Sequence, residues 1–130
     1  MIKFAYTILY VTDVEKTLTF YEQAFGFTRK FIVPTNEYGE LATGDTTLSF
    51  AAIWLAKKNI PAGFVESNVD AKPLGMEIAF TTENVEETFQ QAVKAGAVVV
   101  EKAKEKPWGQ TVAYVRDPNG FLIEICTPMS

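Results

Sequence analysis

One order of elements is written twice along these 130 residues, and that repetition leaves few folds open. Residues 4–11 are β-branched and aromatic, which predicts a strand. Val14, Leu18, Tyr21 and Phe25 then recur near helical spacing, and Gly26 supplies a stop. Asp13 is a natural N-cap, while Thr12 to Glu15 offers an overlapping capping box, so the helix starts at one of two adjacent residues. Three further strands are expected over 27–33, 40–43 and 46–53, the last two joined by a hairpin at Gly44-Asp45.

The second half repeats this plan. A strand over 77–81 precedes Asn84, which can cap a helix over 85–95 with Glu87 closing a capping box before Gly96. Strands are then expected over 98–101, 111–116 and 122–126. Sliding the halves over each other places Tyr6 on Glu77, Asp13 on Asn84, Val14 on Val85 and Thr17 on Thr88. Farther on, Thr46 to Ser49 falls on Phe121 to Glu124. The reading is a single α+β domain of two βαβββ modules, 1–54 and 74–130, related by a pseudo-twofold axis and forming a curved mixed sheet. Residues 55–73 are polar, with Pro61, Gly63 and Pro73, and form either a linker or a lid.

Sixteen acidic against twelve basic residues give a net charge of −4, without the basic block that tracks a phosphate backbone. Nucleic acid is excluded as the expected partner, and a neutral or basic small molecule is favoured. The single cysteine, Cys126, allows no intrachain disulfide and sits in an apolar strand, where a packed, inert thiol is expected. Met1-Ile2-Lys3-Phe4 has no signal-peptide pattern, and no apolar stretch reaches transmembrane length. A cytoplasmic protein without a membrane partner is the expectation.

Asp117-Pro118-Asn119-Gly120 supplies the fixed and the positive φ angles of a tight turn, and the run after it carries one carboxylate, Glu124. A glutamate in a buried strand needs a partner, a ligand or an opening to water. Strand alternation puts Tyr6, Ile8 and Tyr10 on one face, with Ser49 and Ala51, Glu77 and Ala79, and Glu124 and Cys126 on the corresponding faces of their strands. Leu9, Phe50, Ile78, Phe80, Ile123 and Ile125 fall on the opposite, apolar faces. The mixed set has the composition of a pocket with a few placed polar groups.

The double βαβββ plan, Val11-Thr12-Asp13-Val14-Glu15-Lys16 leading to Phe20-Tyr21-Glu22, the Phe25-Gly26-Phe27 helix exit, and Asp117-Pro118-Asn119-Gly120 before Glu124 resemble the vicinal oxygen chelate superfamily. That superfamily includes glyoxalase I, extradiol dioxygenases, methylmalonyl-CoA epimerase, fosfomycin-resistance enzymes and bleomycin-resistance binding proteins. The resemblance covers essentially the whole chain and implies their fold. It also implies a cleft whose metal positions, carried onto this sequence, are Tyr6, Ser49, Glu77 and Glu124. In the resembled family a second chain commonly completes the cleft, so a homodimer is implied.

The departure lies in the donors. The glyoxalase pattern has histidine, glutamate, histidine and glutamate, whereas this chain contains no histidine and only Glu124 keeps its type. Zn²⁺ and Ni²⁺ sites usually include an imidazole or a thiolate. Tyr6, Ser49, Glu77 and Glu124 form an oxygen-only set suited at most to Mg²⁺ or Mn²⁺, and no cofactor is expected. Without an ion, Glu77 and Glu124 facing one another disfavour double ionisation, which raises one apparent pKa.

Three functions follow. The first is a metal-free binding protein like the bleomycin-resistance branch, holding a small cationic or aromatic molecule. Glu77 and Glu124 meet the cation, Tyr6 and Tyr10 stack on it, Ser49 adds a polar contact, and Trp54 and Trp108 stand near loop mouths. Trp108, between Pro107 and Gly109, either caps a pocket or seals the end of a sheet. The second is a glyoxalase-like lyase, isomerase or dioxygenase using a divalent metal held by oxygen ligands, with Glu124 or Glu77 as catalytic base. The third is metal-free acid/base chemistry by the two glutamates.

Overall fold

The computed structural model describes residues 1–129. They divide into two compact units: Met1–Glu22 with Gly26–Glu66, and Gln23–Phe25 with the chain from Ser67 onward. Each unit is built on one four-stranded sheet.

The first sheet comprises β1 (Tyr6–Val11), β2 (Thr28–Ile32), β3 (Tyr38–Ala42) and β4 (Thr47–Ala52), in the order β1-β4-β3-β2. β1 pairs parallel with β4, while β3 is antiparallel to both of its neighbours. The helix α1 (Val14–Phe25) begins where Asp13 accepts the Lys16 N–H at 3.1 Å, so the aspartate cap and not the threonine capping box sets its start. Glu15 is engaged elsewhere: its carboxylate takes Arg29 at 2.6 Å, and Glu22 takes the same guanidinium at 2.8 Å. Val14, Leu18 and Tyr21 are fully buried with Leu41 and Phe50, and the Tyr21 and Phe50 rings lie 5.1 Å apart. Burying side chains of this size contributes about 1.5–3 kcal/mol each, which fixes the helix on the Leu9, Leu41 and Phe50 face.

The second sheet repeats the order with β5 (Ile78–Thr81), β6 (Val98–Glu105), β7 (Thr111–Arg116) and β8 (Leu122–Cys126), arranged β5-β8-β7-β6. The helix α3 (Val85–Lys94) buries Val85, Phe89 and Ala92, one stripe at helical spacing. The expected pseudo-repeat is therefore present in strand order, pairing sense and helix placement. No helix among the described residues is long and apolar enough to cross a membrane.

Four local expectations are corrected. Residues 53–59, read as strand end and linker, form a helix, α2 (Ile53–Asn59). Ala56 packs it with 2% exposure, and Pro61 follows its end. The chain beyond α2 is also anchored: Phe64 packs against Tyr10 with centroids 4.8 Å apart, and Lys57 meets Glu66 at 3.0 Å. Asn84 occupies the N-cap of α3, but its side chain makes no cap bond; its N–H instead donates to Thr82 Oγ1 at 3.1 Å. Finally, β6 runs on to Glu105 because bulges between Val99 and Glu101 and between Glu101 and Lys104 keep it paired with β7.

Candidate functional site

In the second unit, the β8 register sets Glu124 opposite Tyr114 on β7 and Ala79 on β5. The strand period brings these side chains to one face, and Glu77 lies two residues before Ala79 at the entry to β5. Tyr114 Oη donates to Glu124 Oε1 at 2.9 Å. The Cys126 thiol, buried two residues farther along β8, faces the same carboxylate and lies 3.8 Å from the Phe80 carbonyl.

Electrostatics separate the two glutamates. Desolvation and the neighbouring Glu124 push the Glu77 carboxyl above its ordinary value. Desolvation also acts on Glu124, but donors outweigh it: the Cys126 thiol, Tyr114, the Glu77 carboxyl and, through space, the Lys106 charge together hold Glu124 below the ordinary range. The donors stay protonated, since Tyr114 is pushed up to about 12, chiefly by Glu124, and Cys126 to about 11, chiefly by desolvation. The arrangement is a carboxylate at Glu124, a fixed phenol donor with a neutral thiol beside it, and a Glu77 carboxyl that keeps its proton to higher pH than a lone glutamate.

The first unit carries Tyr6 and Ser49 on its sheet. Tyr6 is 55% exposed, whereas Ser49 is fully buried. Ser49 Oγ lies 3.0 Å from Tyr38 Oη, which lies 2.6 Å from Glu40 Oε2. A phenol has one proton, and the shorter contact directs it to the carboxylate, leaving the serine hydroxyl to donate to the phenol oxygen. Tyr10 is half-buried beneath Phe64. Glu40, Tyr38 and Tyr114 were not among the residues singled out from sequence. The expected strand over 40–43 left Tyr38 outside it, whereas β3 begins at Tyr38 and puts that phenol on the same face as Glu40.

Trp54 lies on α2, 48% exposed, with the Lys58 ammonium 5.2 Å above its ring. Trp108 is 64% exposed, yet its indole is oriented: Nε1 donates to Gln110 Oε1 at 2.7 Å, and Gln110 Nε2 donates to the Thr127 carbonyl at 2.7 Å. It lines two hollows of the second unit, one of about 180 Å³ with Gln110, Thr127 and Met129, the other of about 580 Å³ with Lys104 and Lys106. Neither hollow is lined by Glu77 or Glu124.

The residues at the four inherited positions do not fit a borderline divalent ion. The chain has no imidazole, and Ser49 is buried in a hydrogen bond to Tyr38. Glu124 already accepts from a phenol, and among the described residues no group of three or more His, Cys, Asp or Glu side chains is placed to hold a metal ion.

Comparison with known proteins gives a consistent placement. The family model described as the Glyoxalase/Bleomycin resistance protein/Dioxygenase superfamily matches residues 3–125. A putative lactoylglutathione lyase from Brassica oleracea var. gemmifera is 27% identical over 128 residues, covering 95% of this chain and 43% of that protein. A lactoylglutathione lyase from Arabidopsis thaliana is 26% identical with the same coverage, so the chain spans less than half the length of either relative. Among solved structures, a glyoxalase-related enzyme from Fulvimarina pelagi superimposes with a TM-score of 0.83 at 23% identity, over 98% of this chain and 89% of that one. A glyoxalase/bleomycin resistance protein/dioxygenase family enzyme from Burkholderia phytofirmans PsJN gives 0.78 at 23% identity, over 96% and 98%. At such identities the structural likeness speaks for the fold alone.

Proposed function

The chain belongs to the Glyoxalase/Bleomycin resistance protein/Dioxygenase superfamily, and from that premise we propose that it binds a small organic cation at the Glu77–Glu124 pair of its second unit. One observation carries the reading: Glu124 stands opposite Ala79 with Glu77 two residues before it, so that each carboxyl perturbs the other, Glu77 being pushed up and Glu124 held down, and neither forms an ion pair with the protein's own cations among the described residues. A proton occupies the place a cation can take. An ammonium or amidinium group presents the charge and directional N–H donors that Glu124 accepts, and its arrival favours ionisation of Glu77. Tyr114 holds the carboxylate in place from the protein side, with the neutral Cys126 thiol beside it.

The test is calorimetric titration of the full chain with benzamidinium across a pH series. A cation must displace the proton below the raised Glu77 pKa, so affinity is expected to fall as pH falls through it and to level off above it. Glu124→Gln keeps the shape and removes the charge, and should weaken binding by roughly tenfold or more, the scale of one charge-assisted hydrogen bond. Absence of binding at millimolar probe, or equal affinity in Glu124→Gln, contradicts the proposal.

The identity to two lactoylglutathione lyases favours a second reading, a lyase acting on a thiol-derived hemithioacetal. Turnover of the glutathione hemithioacetal, with or without added Ni²⁺, Zn²⁺ or Mn²⁺, that is lost in Glu124→Gln would install that reading in place of simple binding.

A further inference from the structure

We propose that the first unit carries a cation-recognition site of its own, centred on Glu40, which takes a substituted ammonium or amidinium with an apolar body. The repeat locates it. Ser49 occupies in the first module the place Glu124 holds in the second, and its cross-strand neighbour is Glu40, just as Tyr114 is the neighbour of Glu124. Carboxylate and hydroxyl have therefore changed strands. In the second unit the acid stands on the last strand and the phenol beside it; in the first, the acid stands on β3 and the hydroxyl on β4. The first unit thus carries its carboxylate one strand away from the position that bears it in the second.

The surroundings of Glu40 suit an organic cation. Tyr38 donates to Oε2 at 2.6 Å, and Oε1 accepts no bond from the described residues. Lys30, on the neighbouring β2, is committed to Thr47 Oγ1 at 3.0 Å and forms no ion pair with Glu40. Phe31 is the register partner of Glu40, and its ring stands 6.0 Å from that of Tyr38, so an aromatic face borders the carboxylate. Phe31 and Ile8, the latter paired with Ser49, are each 44% exposed, so apolar surface is open beside the carboxylate. A carboxylate with a free oxygen, a fixed phenol and an exposed aromatic wall recognise charge and apolar body together. The inference uses the same carboxylate chemistry as the reading of the second unit but rests on different residues.

The experiment is a benzylammonium titration of the full chain, followed by NMR at the ring signals of Tyr38 and Phe31. Both are expected to shift and saturate, with the dissociation constant raised tenfold or more in Glu40→Gln and unchanged in Glu124→Gln. Tyr38→Phe, which keeps the ring and removes the phenol, should weaken binding by a smaller factor, read at Phe31. Static ring signals at millimolar probe overturn the site, as does an unchanged constant in a folded Glu40→Gln. Loss of the shifts in Glu124→Gln instead would also overturn it and assign the binding to the second unit. If the unit 1 site holds while Glu124→Gln leaves calorimetric binding intact, the Glu77–Glu124 reading fails alone.

Discussion

Gly120→Ala is expected to lower stability by roughly 2–5 kcal/mol, the sum of an overpacking cost and a left-handed backbone cost. Gly120 has φ +95°, and a Cβ there would lie 2.7 Å from Asn68 C, 2.7 Å from Val69 N and 2.9 Å from Arg116 Nη2. Two of those atoms are backbone and cannot swing aside as a side chain could. Gly26 is the control, because its φ is +72° but nothing lies within 4 Å of a Cβ. Gly26→Ala should cost only about 1 kcal/mol, the backbone contribution alone. Urea denaturation of both variants checks the difference, and equal midpoints would show that the approach to residues 68 and 69 is not tight.

Arg116→Met should cost about 3–5 kcal/mol, for a related reason. Arg116 is 8% exposed, and its guanidinium donates to four main-chain carbonyls: Gly120 at 2.9 Å, Asn68 at 2.9 Å, Val69 at 3.1 Å and Ala71 at 2.6 Å. Methionine fills part of the volume and leaves those acceptors without their donor, each loss costing on the order of 1 kcal/mol or more. Arg116→Lys should recover little, since an ammonium lacks the planar fork that reaches several carbonyls at once. Gly120 and Arg116 act on the same segment, so the double variant should lose less than the sum of the single losses.

That clamp explains what the Asp117-Pro118-Asn119-Gly120 turn is for. Asp117 is fully buried and accepts the N–H groups of Asn119 and Phe121 at 2.9 Å each, closing the turn, while Ser67 donates to the Asn119 carbonyl at 2.8 Å. The turn residues themselves were legible in the sequence, because Asp, Pro, Asn and Gly each have a local reason to stand there. The use of Gly120 was not: it depends on a strand of chain some fifty residues earlier that no local pattern places.

The same division runs through the fold. Strands and helices with a clear period, such as α1 and β7, were legible because burial imposes that period on the residues. The helix α2 was missed because Ile53 reads as a strand end, and the lysines and Pro61 read as loop; the buried Ala56 that fixes it carries little signal by itself. At the site, the proximity of Glu77 and Glu124 and the sign of its effect could be argued from alternation and repeat. Tyr114 and Glu40 could not be recognised as their counterparts until the cross-strand register was known, since a shift of one residue reverses every face.

The proposed cation site requires that Glu77 hold a proton beside Glu124 which a ligand cation displaces. Its most direct measurement is the titration of the two side-chain carboxyl carbons by ¹³C NMR, alone and with saturating benzamidinium. Glu77 is expected to titrate above the ordinary glutamate range and Glu124 below it in the free protein, with Glu77 drawn downward when the probe is bound. Two carboxyls that titrate at ordinary values, and do so identically with and without the probe, would contradict it.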